Sequence, residues 1–284
     1  MKKYDKIDAH QHFWIYDVSR DYWITDDMHI LRRDFLPEQL RHELEENDIS
    51  GCVAIQANQS EEENEFLISL SRQNDKIKGI VGWIDFTAEN IDERLAYYRQ
   101  FGIIKGFRHV LQAEPNRAFM LTPEFLRGVD KLNAFGFTYD ILIRPDQLPF
   151  VEKFVNNFPK QLFMIDHIAK PHIKKGEIKT WFEHLKGMTN YENVYCKISG
   201  LVTEAHWINW NYADFVPYLN AVFEIFGASR IVFGSDWPVC ELAGGYGKTM
   251  ELINRYLLTL TDSEQSQVWG GNAKKFYGLK DSEQ

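Results

Sequence analysis

Residues 231–238 read Ile-Val-Phe-Gly-Ser-Asp-Trp-Pro, an apolar run that ends in a carboxylate, Asp236. A continuous apolar run is typical of a strand in a parallel sheet that helices cover on both faces, because neither face of the strand meets water. Residues 51–55, Gly-Cys-Val-Ala-Ile, have the same character. These runs predict a parallel sheet with polar residues placed where its strands end.

Short runs rich in Val, Ile, Phe and Tyr recur along the whole chain, and longer stretches with helical spacing separate them. The predicted strands are 6–12, 51–57, 79–85, 106–110, 137–143, 162–167, 194–199 and 230–235. The predicted helices are 37–47, 61–73, 91–101, 123–135, 147–157, 178–188 and 212–226. This alternation predicts an α/β fold, a closed (β/α)8 barrel of the TIM type, as a single domain over residues 1–284. A doubly wound open sheet is the alternative, but no GxGxxG follows the first strand.

The overall charge of the chain limits the kinds of molecule that it is expected to bind. The formal net charge is -9 at pH 7. Nucleic acid and anionic membranes require clustered Lys and Arg, so the sequence argues against both and favours a small-molecule substrate. Three cysteines without CxxC spacing predict buried thiols in the cytoplasm, and no stretch approaches the ~20 apolar residues of a membrane span. The sequence leaves a homo-oligomer open.

The first predicted strand carries two histidines, His10 and His12, at positions i and i+2. Side chains at that spacing point to the same face, so both imidazoles are expected inside the barrel. Convergent histidines can bind a divalent metal or act on a carbonyl, whereas an isolated pair is more often hydrogen-bonded to backbone. Because the first and eighth strands of a closed barrel are neighbours, Asp236 is expected beside them. A carboxylate there can take a proton from an attacking water and pass it to the leaving group.

Two further predicted strands end in basic residues. The sixth continues into Asp-His-Ile-Ala-Lys-Pro, residues 166–171, where His167 could complete the polar cluster and Lys170 is interpreted as a structural or exposed lysine. The fourth contains Arg108 and His109, and because neighbouring side chains alternate, only one of them can face the interior. We expect one of the pair to contact substrate oxygens and the other to lie beneath a helix.

The order of these motifs resembles one known family. Residues 8–12 (Asp-Ala-His-Gln-His), 106–109 (Gly-Phe-Arg-His), 166–171 and 233–238 are together similar to the amidohydrolase-related group that contains sugar-acid lactonases and 2-pyrone-4,6-dicarboxylate lactonase. The resemblance implies a distorted (β/α)8 barrel that hydrolyses a lactone ring, with Asp236 as the water-activating aspartate. It assigns His10, His12 and His167 to metal binding or to polarisation of the carbonyl. It also implies L-fucono- or L-rhamnono-lactone as the type of substrate.

The sequence departs from the wider superfamily at the predicted fifth strand. Binuclear members carry a lysine or glutamate on the fourth strand and a histidine on the fifth, but residues 136–141 here read Gly-Phe-Thr-Tyr-Asp-Ile. The site is therefore expected to hold one divalent ion, preferably zinc, or none. The candidate ligands are His10, His12 and Asp236, with His167 as a further candidate. Without a metal, the three histidines would have to stabilise the oxyanion as hydrogen-bond donors.

A polyol lactone needs polar partners for its hydroxyls and flat apolar surfaces for its C–H faces. The candidate substrate-binding residues near predicted strand ends are Arg108, His109, Trp14, Tyr139, Trp83 and Trp207. A dicarboxylate substrate would require several arginines at the rim, and only Arg108 and Arg144 lie close to strand ends, so a neutral sugar lactone is expected. Two alternatives stay open: a decarboxylase or hydratase of the same structural group that acts on a carboxylate, and a non-catalytic barrel used for binding.

Overall fold

The computed structural model describes residues 4–280, in which eight parallel strands follow one another around a sheet in chain order. The strands are β1 Lys6–Gln11, β2 Ile49–Ile55, β3 Ile77–Gly82, β4 Ile104–His109, β5 Thr138–Ile141, β6 Phe163–Ile165, β7 Val194–Ile198 and β8 Ile231–Phe233. The helices are α1 Pro37–Glu46, α2 Glu61–Gln73, α3 Ile91–Arg99, α4 Pro123–Phe135, α5 Leu148–Asn156, α6 Lys179–Leu185, α7 Tyr212–Phe226, α8 Gly245–Leu257, α9 Asp262–Ser266 and α10 Asn272–Tyr277. The predicted (β/α)8 barrel is confirmed, and each predicted strand overlaps an observed one.

The barrel closes just beyond the ends of β1 and β8. The backbone N–H of Asp236 donates to the carbonyl of His10 over 2.8 Å, and the N–H of His12 donates to the carbonyl of Trp237 over 2.7 Å. The buried Asp8 carboxylate reinforces the seam, because it accepts hydrogen bonds from the N–H of Ser235 at 2.9 Å and from its hydroxyl at 2.6 Å. The open doubly wound sheet is therefore wrong, and the chain after β8 lies beside β1.

An aromatic layer separates the strands from the surrounding helices. Tyr139 of β5 belongs to it, with ring centroids 6.1 Å from Phe125, 5.8 Å from Phe154 and 6.2 Å from Phe163. Successive side chains of a strand point to opposite faces, so Asp140 points into the barrel. The interior thus receives a charged residue from the middle of a short, fully buried strand.

The chain leaves β6 through a left-handed turn. His167, Ile168, Ala169 and Lys170 have φ of 54°, 49°, 59° and 50°. For residues with a Cβ atom, this region costs roughly 1–2 kcal/mol each, so four in succession require support from the surrounding structure. One support is the hydroxyl of Ser199, just after β7, which lies 3.0 Å from Nδ1 of His167. The prediction that the sixth strand extends to His167 is wrong, because β6 ends at Ile165.

Cys52, Cys196 and Cys240 are buried and unpaired, as predicted. Within residues 4–280, no helix combines the length and the apolar character that crossing a membrane requires.

Candidate active site

Three imidazoles surround one carboxylate at the carboxyl end of the barrel. The Oδ1 atom of Asp236 lies 3.4 Å from Nε2 of His12, 3.8 Å from Nε2 of His10 and 3.9 Å from Nε2 of His167. All four side chains are buried. The structure therefore brings together the four residues that the sequence proposes as one cluster.

Hydrogen bonds fix the outer nitrogens of two of these histidines. Nδ1 of His12 lies 2.8 Å from the carbonyl oxygen of Ile55, which can only accept, so this nitrogen carries the proton in the neutral ring. The lone pair of His12 Nε2 is then directed toward Asp236. Nδ1 of His167 pairs with the Ser199 hydroxyl. Such outer contacts set the tautomer and orientation of an imidazole that acts on a metal or a substrate.

His10 lies between two buried cations. Its Nε2 atom is 3.2 Å from Nη1 of Arg108, and its Nδ1 atom is 3.3 Å from Nζ of Lys197. Nδ1 also lies 3.4 Å from Oδ1 of Asp166. This imidazole therefore links the reacting end of the barrel to the charges beneath it.

Lys197 on β7 is the centre of a charged network inside the barrel. Its Nζ atom lies 2.5 Å from Oδ2 of Asp140 and 3.1 Å from Oδ1 of Asp166. The hydroxyl of Tyr277 also donates a hydrogen bond to Oδ2 of Asp140, over 2.7 Å. The sequence reasoning did not propose Lys197, Asp140 or Asp166 as site residues. Their signal is a charged residue within or at the end of an apolar strand of a helix-covered sheet, which must find a partner on whichever buried face it occupies.

Arg108 and His109 take opposite sides of β4. Arg108 faces the interior, where its guanidinium bonds to Gln56 and, over 3.1 Å, to Asp166. His109 faces the aromatic layer, stacks on Phe119 at 5.4 Å and pairs with Glu114 at 2.7 Å. The expected alternation is therefore observed, with Arg108 as the inward member.

The predicted aromatic contacts divide into two groups. Trp14 and Tyr139 are almost fully buried in the core, where Trp14 donates from its indole nitrogen to the carbonyl of Arg33. Neither they nor His109 present a free face to a ligand, so the prediction that these three bind substrate is corrected. Trp83, just after β3, and Trp207, in the loop before α7, are partly exposed. These two stay candidates.

Burial controls the charge of the cluster. It holds the pKa of His10 and of His167 well below the ordinary value, because an imidazolium would lose its hydration. Burial also opposes ionisation of Asp236, but the surrounding His167, His12 and Lys170 outweigh it, and the pKa of Asp236 is lowered. The site therefore combines an ionised carboxylate with two neutral imidazoles.

The donor set fits one divalent ion. Ligand atoms of His10, His12 and Asp236 all lie within 4.8 Å of one another, as do those of His10, Asp166 and His167. Two imidazole nitrogens and a carboxylate oxygen are common ligands of zinc. Asp140, the only acid on β5, is bound to Lys197, so it is not free to build a second ion site. The residues can therefore hold a single divalent metal.

Gly200 lets the chain after β7 pass against the cluster. Its φ is +60°, and a Cβ atom there would lie 2.4 Å from Nδ1 of His167 and 3.1 Å from Oδ2 of Asp236. We expect Gly200→Ala to displace both groups and to lower kcat by about 100-fold, the effect of a misplacement near 1 Å. Gly176→Ala is the matched control, because Gly176 has a φ of +66° with no atom within 4 Å of its added Cβ. Equal kcat values for the two variants would contradict the assigned role of Gly200.

Comparison with known proteins identifies the family. The amidohydrolase family model matches residues 7–279. An L-fucono-1,5-lactonase of Burkholderia multivorans is 36% identical, and one of Burkholderia ambifaria is 31% identical, each over 96% of both chains. A crystal structure of an amidohydrolase from Burkholderia multivorans with bound zinc superposes with a TM-score of 0.92 at 36% identity, covering 97% of this chain and 99% of that one. The chain therefore belongs to the amidohydrolase family, as its strand-end motifs predict.

Proposed function

We propose that this chain is a hydrolase that opens the ring of a sugar-acid lactone of the L-fucono- or L-rhamnono-lactone type. The observation that carries the proposal is the single ionised carboxylate, Asp236, with three imidazoles within 4 Å. The expectation of a lactone hydrolase is confirmed by the two L-fucono-1,5-lactonases that match nearly the whole chain. A non-catalytic barrel predicts that these four residues stay apart, and they do not.

The reaction follows from the roles that each group can take. Asp236 accepts a proton from a water molecule, whose oxygen attacks the lactone carbonyl carbon. The resulting oxyanion is stabilised by His167 as a hydrogen-bond donor, and Arg108 adds positive charge through its contact with His10. The tetrahedral intermediate then collapses, the bond between the carbonyl carbon and the ring oxygen breaks, and Asp236 returns the proton to that oxygen. The product is the open sugar acid.

A divalent metal, for which we propose zinc, fits the same residues. His10, His12 and Asp236 would hold it, and His167 is a further candidate. When bound, such an ion would polarise the lactone carbonyl and lower the pKa of a bound water. The choice of zinc is supported by the nitrogen and oxygen donors and by the zinc-containing relative.

Trp83 and Trp207 are the aromatic side chains we propose for the apolar faces of the sugar. The indole nitrogen of Trp83 is buried without a hydrogen-bond partner among residues 4–280, so it can donate to a substrate hydroxyl. Trp207 already donates from its indole nitrogen to the carbonyl of Thr203, so it can offer only its ring. Arg108 is buried and fully engaged, and its proposed role is electrostatic.

Other expectations remain part of the proposal. We propose a single domain over residues 1–284, a location in the cytoplasm and no binding of nucleic acid. Whether the protein forms a homo-oligomer stays open. Residues 1–3 and 281–284 lie outside the described part of the chain.

We predict that His10 and His167 stay neutral well into the acid range. Burial lowers the pKa of each imidazole. As the pH falls, each ring therefore takes up its proton only below the ordinary midpoint near pH 6.5. Imidazole nitrogen chemical shifts, recorded from about pH 7.5 down to about pH 5.5, should keep their neutral values for both residues. The exposed His42 serves as an internal reference for an imidazole in contact with solvent. A midpoint near pH 6.5 for His10 or His167 would refute this picture of the site.

The activity is tested by a pH-indicator screen of aldonolactones, run with and without chelator. Acid release from an L-fucono- or L-rhamnono-lactone supports the proposal, and its loss with chelator shows that a metal takes part. The rival decarboxylase or hydratase predicts no acid release from any lactone. It predicts instead turnover of a carboxylate substrate that stops when the metal is removed.

A further inference from the structure

We propose that Arg108 and a divalent ion compete for Nε2 of His10, so that the resident cation at this imidazole is the guanidinium of Arg108. The inference rests on the metal fit of the proposed site and is independent of the lactone substrate. It states which positively charged group contacts Nε2 of His10 when no metal ion is bound.

The tautomer of His10 determines which of its nitrogens can accept a hydrogen bond. A neutral imidazole has one N–H and one lone pair. Placing the proton on Nε2 would set it against the N–H of Arg108 Nη1, which lies only 3.2 Å away. Placing it on Nδ1 lets that nitrogen donate to Oδ1 of Asp166 at 3.4 Å, an oxygen that also contacts Nζ of Lys197 at 3.1 Å. Nζ of Lys197 lies 3.3 Å from the same nitrogen, but its hydrogens can be directed to the carboxylate oxygens of Asp140 and Asp166 at 2.5 and 3.1 Å.

It follows that the lone pair of His10 Nε2 accepts a hydrogen bond from Arg108. Nη1 of Arg108 carries two hydrogens, and it faces two acceptors, His10 at 3.2 Å and Oδ2 of Asp166 at 3.1 Å. A metal ion coordinated by His10 in the same site would need the same lone pair. The guanidinium and the ion therefore cannot both use it.

Arg108 is also held too firmly to move aside at little cost. Its Nε and Nη2 atoms donate to Oε1 of Gln56 at 3.0 and 2.6 Å, and Nη2 donates to the Gln56 carbonyl at 2.6 Å. The residue is only 3% exposed. Its displacement would leave buried acceptors on Gln56 and Asp166 without partners, which is unfavourable.

The charges inside the barrel also argue against tight binding of a divalent ion. Asp140 and Asp166 face the two cations Lys197 and Arg108, so among the carboxylates of the two candidate ligand sets only Asp236 is without a direct contact to a cation. One free negative charge provides less attraction for a divalent ion than a site with two. The wild-type chain is therefore expected to bind zinc weakly.

The test is the zinc dissociation constant of the purified protein without substrate, measured by competition with a chromophoric chelator. Arg108→Met is expected to bind zinc more tightly than the wild type, by about 10- to 100-fold if its effect is as large as the change that partners of metal ligands usually make. Lys170→Met is the matched control. Lys170 adds positive charge near the cluster but pairs with Glu204 at 3.8 Å, and its charge also lowers the pKa of His10. A general charge effect would tighten binding equally in both variants.

A second comparison removes one ambiguity. Without Arg108, Asp166 could itself become a ligand, since it lies with His10 and His167 in a possible ligand set. Arg108→Met/Asp166→Asn must therefore keep the tighter binding. Near-UV circular dichroism checks the fold, and Arg108→Gln replaces Arg108→Met if the latter does not fold. Unchanged zinc affinity, equal tightening in Lys170→Met, or loss of the gain in the double variant would each overturn the proposal.

Discussion

Asp236→Asn is expected to lower kcat for the lactone by about 10²- to 10⁴-fold, the range that a positioned general acid or base contributes. The amide cannot accept the proton of the attacking water, yet it has nearly the same shape as the carboxylate. Asp236 also has a left-handed φ of 60°, a conformation that Asn tolerates well. We therefore expect the fold and the melting temperature to change little while turnover is lost.

The control for this experiment is a carboxylate outside the cluster. Asp146 pairs with Arg117 at 2.7 Å on the exposed surface, so Asp146→Asn should keep the wild-type kcat. The measurement is initial-rate acid release over a range of lactone concentrations, which separates kcat from KM. Turnover in Asp236→Asn at the wild-type level would remove Asp236 as the base.

Lys197→Met is expected to give the largest loss of stability, about 3–5 kcal/mol in the free energy of unfolding, because it breaks a buried ion pair by removing one partner. Lys197 and Asp140 are both 0% exposed. Burial already raises the pKa of Asp140 to about 6, with the charge of Lys197 opposing the shift. Without the ammonium group, Asp140 and Asp166 would face each other in the buried interior.

Urea unfolding followed by circular dichroism measures this loss. Lys197→Met/Asp140→Asn should recover part of the stability, because it removes one of the two carboxylates left without a partner. Lys131→Met is the surface control. Its ion pair with Asp92, at 3.2 Å, is partly exposed, and such pairs contribute roughly 0–1 kcal/mol. A Lys197→Met variant as stable as this control would contradict the proposed network.

The sequence was sufficient to predict the barrel and the core of the site. Eight apolar runs determine the strands, and the closure of a barrel places the residue after the eighth strand beside the first. That is why Asp236 could be placed near His10 and His12 without any coordinates. His167 was assigned by its strand-end position and by resemblance, although the left-handed turn that carries it has no glycine to signal it.

The sequence was less successful in predicting which face of its strand each side chain occupies. In a strand, a shift of one residue moves a side chain to the opposite face, and a run that is apolar throughout does not reveal the phase. Tyr139 was expected at the substrate, but it is Asp140 that points inward. The pairing of Lys197 with Asp140 and Asp166 likewise depends on register between strands, which no single strand encodes.

The central chemical claim is that a water molecule, and not Asp236, attacks the lactone carbonyl. Loss of activity in Asp236→Asn does not separate these two routes. The most direct test is a single turnover in oxygen-18 water with enzyme in excess, followed by mass spectrometry of the sugar acid and of the peptide containing Asp236. We predict one labelled oxygen in the product carboxylate and an unlabelled Asp236. Label in the Asp236 peptide would show that this carboxylate acts as the nucleophile and would contradict the account.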